Sequence, residues 1–230
     1  MAPTPRTRRF GRERADLLYR IVVAFAVIVF KIMRWNLTVH GEEHVPTAGP
    51  AVIAANHVGL LDFVFIGFGA HRRGRFVRFM ALQEAFHHWL GGPLLRGMGH
   101  IPVDREGDAA AALERADSAI AAGEVVGIHP EGKIKREFDT TSGKTGAARL
   151  AARTGAPLVP CAIWGTQRLW AHDGHRRLPR RVRVVVRFGR PLDVDETDPE
   201  GTTRRLMESI AELRADVVAS FSPSGGGRPP

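Results

Sequence analysis

The segment AVIAANHVGLLD, residues 51–62, decides the fold class, because an apolar run ends here in a group of polar residues. Residues 51–55 carry only apolar side chains, which is typical of a strand buried on both faces of a sheet. Helical segments at 108–123 and 143–155 alternate with further strand-like segments at 37–41, 76–82, 100–103, 125–130, 157–165 and 181–189. This alternation predicts an α/β domain whose mixed, largely parallel sheet is flanked by helices.

The polar end of the segment contains His57 and Asp62, five positions apart. Sites in open α/β sheets gather at the carboxyl ends of strands, and a histidine oriented by a carboxylate can act as a base near neutral pH. Residues five apart point about 140° apart on a regular helix, so the two can meet only if the chain turns, which Gly59 allows. The alternative is a helix-capping Asn-His pair with an unrelated surface aspartate.

Two basic segments follow later strands. Arg105 ends GHIPVDR (99–105) and can bind a phosphate through its guanidinium fork, although a solvated turn arginine has the same signature. Residues 128–137, IHPEGKIKRE, predict a loop that suits an anionic head group, the alternative being an exposed basic loop. In VPCAIWG (159–165) the apolar side chains either line an acyl groove or form an ordinary core strand.

Taken in order, these segments resemble the four blocks of the PlsC-type glycerolipid acyltransferases, the 1-acylglycerol-3-phosphate acyltransferases. The blocks are His-x4-Asp, Gly-x-Ile-x-Val-Asp-Arg, Pro-Glu-Gly and Val-Pro, and they span about residues 50–167, roughly half the chain. Residues 143–151, GKTGAARLA, also resemble the helix that precedes the Val-Pro strand in that family.

The resemblance implies transfer of a fatty acyl group to the sn-2 hydroxyl of 1-acylglycerol-3-phosphate, giving phosphatidic acid. His57 would deprotonate the hydroxyl, and Asp62 would hold His57. Val159 and Pro160 would contribute to the acyl-donor groove. The implied substrate-binding residues are Asn56, Arg105, Glu131, Gly132, Lys133, Lys135 and Arg136.

The third block departs from the family pattern, because Lys133-Ile134 stands where Thr-Arg is common. Lys133, Lys135 or Arg136 would keep the positive charge but not the same geometry. Another lysophospholipid or a glycolipid acceptor therefore stays open, as does a catalytically silent membrane lipid-binding protein. His129 stands where the family usually has an aromatic or aliphatic residue, and we expect it to be structural.

Thioester-to-alcohol acyl transfer requires no metal, and no cofactor is expected beyond acyl-CoA or acyl carrier protein as co-substrate. Neither His87-His88 nor HDGH (172–175) has a convincing second pair of metal ligands. The tetrahedral oxyanion needs hydrogen-bond donors, and we expect backbone amides of a glycine-containing turn to supply them. A direct attack is favoured, because no Gly-x-Ser-x-Gly elbow is present and Cys161 lies in an apolar strand.

The net charge of +9 and the pI near 11.0 imply an anionic partner. Residues 21–30 contain no polar side chain and are flanked by Arg20, Lys31 and Arg34. The run is shorter than the roughly 20 apolar residues that span a bilayer, which favours a helix lying in one leaflet over a transmembrane helix. A buried core helix is the alternative. Basic residues beside an apolar helix favour an anionic membrane surface over nucleic acid.

The predicted organisation has four parts: a disordered basic arm (1–11), a membrane-binding helix (12–35), an acyltransferase domain (36–220) and a disordered tail (221–230). We expect the protein at the cytoplasmic face of the cell membrane.

Overall fold

The computed structural model of the protein describes residues 5–104, 109–135, 137–169 and 179–221, with side chains from Ala15 onward except that of Ala109. These residues form a sheet of seven strands in the order β1-β7-β6-β2-β5-β3-β4. Neighbouring strands run parallel except for the antiparallel pair β6 and β7. The predicted mixed, largely parallel α/β fold is therefore confirmed. The strands are β1 Asn36–His40, β2 Ala51–Ala55, β3 Val77–Leu82, β4 Ile101–Val103, β5 Val125–Ile128, β6 Leu158–Trp164 and β7 Arg183–Phe188.

Helices cover both faces of this sheet. One face packs against α1 and α2, where Phe30 and Phe65 join Ile53 in a single core cluster. The other packs against α5, α6 and α7, where Leu150 and Leu206 meet Val52. Alternating residues of β2 thus face opposite cores, which explains why this strand has no polar position. The helices are α1 Pro5–Met33, α2 Asp62–His71, α3 Gln83–His87, α4 Gly91–Gly97, α5 Ala109–Ala121, α6 Gly146–Thr154 and α7 Pro199–Ala219.

Helix α1 is attached to the domain along one side. The buried Tyr19 hydroxyl donates to the Val77 carbonyl at 3.4 Å, and burial raises the pKa of Tyr19 to about 12. Phe30 stacks on Phe65 with ring centroids 4.7 Å apart. Arg78 is 2% exposed and forms an ion pair with Asp16 of α1 at 2.7 Å. These contacts fix the helix against the sheet and leave its other side to solvent.

The helix begins at Pro5, within the segment that the sequence assigns to a basic arm. Among the described residues, no helix is both long and apolar enough to cross a membrane. Except for Phe221, the predicted tail lies outside the described residues. The division of the chain into four parts stays a prediction.

The central strands end at one edge of the sheet. In β2, Ala54 pairs with Ile128, the last residue of β5, and Ala55 pairs with Cys161 of β6. The loops that begin at residues 56, 129 and 165 therefore leave the sheet side by side. This edge is where parallel α/β sheets place their sites.

Candidate active site

His57 and Asp62 meet in the loop between β2 and α2. His57 Nδ1 lies 2.8 Å from Asp62 Oδ2, and the same oxygen accepts the backbone N–H groups of Val58 at 2.8 Å and Gly59 at 3.0 Å. Asp62 is the first residue of α2 and is fully buried, while the His57 side chain is 21% exposed. The chain turns between the two residues, so the structure brings the predicted pair together.

The protonation of His57 follows from this geometry. Because Asp62 Oδ2 already accepts two backbone N–H groups, it is a carboxylate acceptor, and His57 Nδ1 must carry the hydrogen. The other ring nitrogen, Nε2, is then free of hydrogen in the neutral ring. On a partly exposed side chain, such a nitrogen can accept a proton from a bound hydroxyl.

Thr166 occupies the other side of Asp62. Its hydroxyl donates to Asp62 Oδ1, and the residue is 1% exposed. A Cβ on Gly59 would lie 2.8 Å from the Thr166 carbonyl oxygen. Glycine at position 59 therefore allows close packing against Thr166. The sequence had suggested a different role for Gly59, namely that it lets the chain turn. Thr166 itself was not identified from the sequence, since it lies 104 positions from Asp62.

Asn56 joins β2 to β6 through its side chain. Its amide nitrogen donates to the Ile163 carbonyl at 3.0 Å, and its oxygen accepts the Ile163 N–H at 2.8 Å. The residue is fully buried. Asn56 therefore has no exposed atom for the predicted substrate contact, and its position is that of a residue aligning two strands.

Glu131, in the loop that follows β5, supports the His57 loop. Its Oε1 accepts the His57 backbone N–H at 2.8 Å, and the residue is 5% exposed. Burial raises the pKa of this carboxyl, against the opposing effect of the hydrogen bond from His57. Glu131 was predicted to bind the substrate, but the structure shows a buried carboxyl group that fixes the backbone of His57.

A corner formed by Gly132 and Lys144 lies next to Glu131. Gly132 has a φ of +66°, and a Cβ there would lie 3.1 Å from Lys144 Nζ. The Lys144 N–H donates to the Pro130 carbonyl at 2.9 Å, which ties the two loops together. Lys144 is exposed. From the sequence, GKTGAARLA was interpreted only as a helix. Its lysine, Lys144, could have indicated a further positive charge near the Pro-Glu-Gly loop.

The predicted basic residues of this loop take different positions. Lys135 donates its backbone N–H to the His57 carbonyl at 2.9 Å, while its ammonium donates to Ser142 Oγ at 2.6 Å. Lys133 is exposed. Arg105 and Arg136 lie outside the described residues.

His129 stacks on the ring of His57. The ring centroids lie 4.1 Å apart with an angle of 11° between the planes. Its Nδ1 lies 2.9 Å from the Ala55 carbonyl and 3.1 Å from the Asn56 carbonyl, so this nitrogen carries the hydrogen. Burial, followed by the nearby His57, lowers the pKa of His129 to about 4. A neutral, fixed ring therefore packs against His57, consistent with the structural role expected.

Val159 and Pro160 are buried within β6, and Val159 belongs to the core that includes Ile53. The structure thus places both side chains inside the sheet, and not along an open groove. Among the described residues, no group of three His, Cys, Asp or Glu side chains is arranged to hold a metal ion. HDGH (172–175) lies outside those residues, and the expectation of no metal or cofactor stays a prediction.

Comparisons with known proteins identify the family of this chain. A family model described as Acyltransferase matches residues 36–164, more than half the chain. A 1-acyl-sn-glycerol-3-phosphate acyltransferase of Bacillus subtilis is 32% identical over 169 residues, covering 74% of this chain and 80% of that protein. One of Borreliella burgdorferi is 31% identical over 147 residues, covering 59% of this chain and 56% of its own length.

The fold has a counterpart among solved structures. The structure of the 1-acyl-sn-glycerophosphate acyltransferase PlsC from Thermotoga maritima superposes with a TM-score of 0.67 at 22% identity, over 93% of this chain and 83% of that chain. The family match, the relatives and the shared fold lead to one conclusion: the chain belongs to the acyltransferase family and is an acyltransferase of the PlsC type.

Proposed function

We propose that the protein transfers a fatty acyl group from acyl-CoA or acyl carrier protein to the sn-2 hydroxyl of 1-acylglycerol-3-phosphate, giving phosphatidic acid. The observation that carries this proposal is the partly exposed His57 ring, held at 2.8 Å by the buried Asp62 carboxylate. The names of the relatives from Bacillus subtilis and Borreliella burgdorferi support this acceptor.

His57 is the base in the proposed reaction. As the acceptor oxygen attacks the thioester carbonyl carbon, the hydroxyl proton moves to His57 Nε2, and Asp62 stabilises the resulting imidazolium. The tetrahedral intermediate collapses by breaking the carbon–sulfur bond, and the thiolate leaves and takes up the proton. Base catalysis of this kind contributes about 10²–10⁴-fold.

The backbone amides of the turn that contains Gly59 are already engaged in hydrogen bonds within the loop. The backbone N–H groups of Val58 and Gly59 donate to Asp62, and that of His57 donates to Glu131. These three amides stabilise the catalytic pair and are not free for the intermediate. The donors must therefore come from other groups of the site or from the substrates.

The acceptor phosphate is assigned to the basic corner at the Pro-Glu-Gly loop. Lys133 and Lys144 are exposed there, and Gly132 leaves room beside the Lys144 ammonium. Ammonium groups bind phosphate as point charges without the fork geometry of arginine. Because Lys133-Ile134 replaces the common Thr-Arg, a different lysophospholipid or a glycolipid acceptor is the second candidate.

The reaction is tested by mixing purified protein with acyl-CoA and following free thiol release with 1-acylglycerol-3-phosphate, other lysophospholipids and glycolipid acceptors. Thiol release that requires 1-acylglycerol-3-phosphate, with phosphatidic acid as the product, is the expected result. His57→Ala should lose this activity, while His40→Ala, at an exposed position of β1, should keep it. Turnover with a different acceptor alone would contradict the assigned substrate.

We also propose that α1 rests on the cytoplasmic face of the cell membrane. Its solvent side carries an apolar stripe with spacings of three and four residues, as in interfacial helices. Exposed Arg20, Lys31 and Arg34 supply charge for anionic headgroups. The stripe residues and their exposed fractions are Leu17 60%, Ile21 57%, Phe25 65%, Ile28 54% and Ile32 62%.

A second apolar element adjoins this stripe. Trp89 is 78% exposed, and Leu90 and Leu94 of the α4 region are 60% and 39% exposed. Helices α1 and α4 touch where Leu18 packs against Gly97, since a Cβ at Gly97 would collide with Leu18. Exposed apolar side chains are therefore present on two helices that touch, which favours contact with a bilayer over contact of a single helix.

Vesicle sedimentation tests the membrane contact. Full-length protein should bind vesicles that contain phosphatidylglycerol more tightly than vesicles of phosphatidylcholine alone. The double variant Arg20→Gln/Lys31→Gln should weaken binding, whereas Arg149→Gln/Arg153→Gln makes the same charge change on the opposite sheet face and should not. Equal weakening by both pairs would point to net charge and contradict a bilayer contact through α1.

A further inference from the structure

The Asp62 carboxylate is fully paired, although it is completely buried. One oxygen serves His57 and two backbone amides, and the other serves the hydroxyl of Thr166. Among the described residues, the side chains that hydrogen-bond to Asp62 are those of His57 and Thr166. The orientation of the carboxylate therefore depends on a residue outside the four sequence blocks.

The backbone around Thr166 is built to bring its hydroxyl to this position. Thr166 follows β6 through Gly165, whose φ of +108° lies in the region that favours glycine. A side chain at Gly165 would collide with the Arg183 carbonyl, so the chain turns tightly against β7. On the other side, Gly59 packs directly against the Thr166 main chain. Two glycines thus permit one close contact between the β2 and β6 loops.

We propose that Thr166 is a positioning residue for acyl transfer, acting by holding Asp62 so that its other oxygen faces His57. The inference rests on the proposed role of His57 as the base. Thr166 does not touch a substrate, because it is 1% exposed. Its hydroxyl donates to one carboxylate oxygen and leaves the negative charge available on both. The hydrogen bond prevents the carboxylate from rotating away from His57.

Removal of the hydroxyl should therefore affect turnover more than substrate binding. Thr166→Val preserves the shape of the side chain but leaves Asp62 Oδ1 without its donor, and we expect kcat to fall about tenfold. The KM values for acyl-CoA and 1-acylglycerol-3-phosphate should stay within about twofold, since neither substrate contacts Thr166. Thr166→Ser keeps the hydroxyl and should retain at least about half of the wild-type kcat.

The pH profile distinguishes positioning from a packing role. Without the Thr166 hydrogen bond, the Asp62 carboxylate can rotate away from His57, and it then stabilises the imidazolium less. The acidic limb of the kcat/KM profile should then move to lower pH in Thr166→Val and stay in place in Thr166→Ser. The other titratable groups around the pair, His129, Glu131 and Cys161, are the same in both variants.

The outcomes separate this inference from the proposed function. If Thr166→Val does not fold, Thr166→Ala removes the same hydroxyl and takes its place. A hydroxyl-free variant with wild-type kcat and an unmoved limb would overturn the inference, and so would a Ser variant as slow as the Val variant. His57→Ala is measured in parallel. An active His57→Ala protein refutes the proposed base, whereas an inactive one with normal Thr166→Val turnover refutes only the role of Thr166.

Discussion

Asp62→Asn removes one charge from the site while keeping its shape. Asparagine can place its oxygen where Asp62 Oδ2 accepts from His57, Val58 and Gly59. Its amide nitrogen then faces the Thr166 hydroxyl, which can accept a hydrogen bond as well as donate one. The substituted residue therefore satisfies its partners, and the free energy of unfolding should change by no more than about 1 kcal/mol.

The loss of charge should be costly in the transition state. When His57 takes the proton, the imidazolium and the carboxylate form an ion pair across the 2.8 Å hydrogen bond. Two unit charges about 4 Å apart attract by about 4 kcal/mol at an effective dielectric constant of about 20. Each 1.36 kcal/mol corresponds to a factor of about ten in rate, so kcat should fall about 10³-fold.

The assay is thiol release from acyl-CoA at saturating 1-acylglycerol-3-phosphate, together with urea unfolding of the same preparations. KM for the acceptor should stay within about twofold of wild type, because the buried carboxylate contacts no substrate. Asp193→Asn makes the same chemical change at an exposed position and should behave like wild type. A folded Asp62→Asn protein with more than about a tenth of wild-type kcat would refute the ion-pair reasoning.

Three further substitutions test other parts of the structure. The pKa of His129 is about 4 in the folded protein and 6.5 as the ordinary value, so only the unfolded chain takes up this proton between those pH values. His129 therefore costs about 1.4 kcal/mol of stability per pH unit as the pH falls through that range. In urea unfolding, His129→Phe should lose less stability between pH 7 and pH 5 than the wild type does. An equal loss in both proteins would contradict the lowered pKa of His129. Gly59→Ala places a Cβ 2.8 Å from the Thr166 carbonyl oxygen and should reduce kcat at least about tenfold, so full activity would show that the turn can relax. Arg78→Met leaves Asp16 and Glu124 without their buried partner, and urea unfolding should show a loss of about 3 kcal/mol; a loss below about 1 kcal/mol would mean that solvent already screens these pairs.

The fold class and the central pair of the site were readable from the sequence because their signals are local. The apolar run of β2 ends at Asn56, and His57 and Asp62 follow within one short loop. An α/β sheet places such a loop at the carboxyl edge of its strands, where the structure shows it. The apolar character of α1 was also readable from the run at residues 21–30, although the structure was needed to show which side of the helix is buried.

The remaining features depend on contacts between distant segments. Thr166 reaches Asp62 from 104 positions away, and Glu131 reaches the His57 backbone from 74 positions away. Neither contact leaves a local pattern, so Glu131 was expected to face the substrate and Thr166 was not identified. The antiparallel pairing of β7 with β6 also could not be predicted, because no residue of β7 specifies the direction of the strand.

The central claim is that one imidazole accepts the proton of a lipid hydroxyl. Its most direct test is the rate at which purified His57→Ala forms phosphatidic acid from acyl-CoA and 1-acylglycerol-3-phosphate, with wild-type thermal unfolding as evidence of folding. We expect a rate at or below about a hundredth of wild type. A folded His57→Ala protein that makes phosphatidic acid at a substantial fraction of the wild-type rate would contradict it.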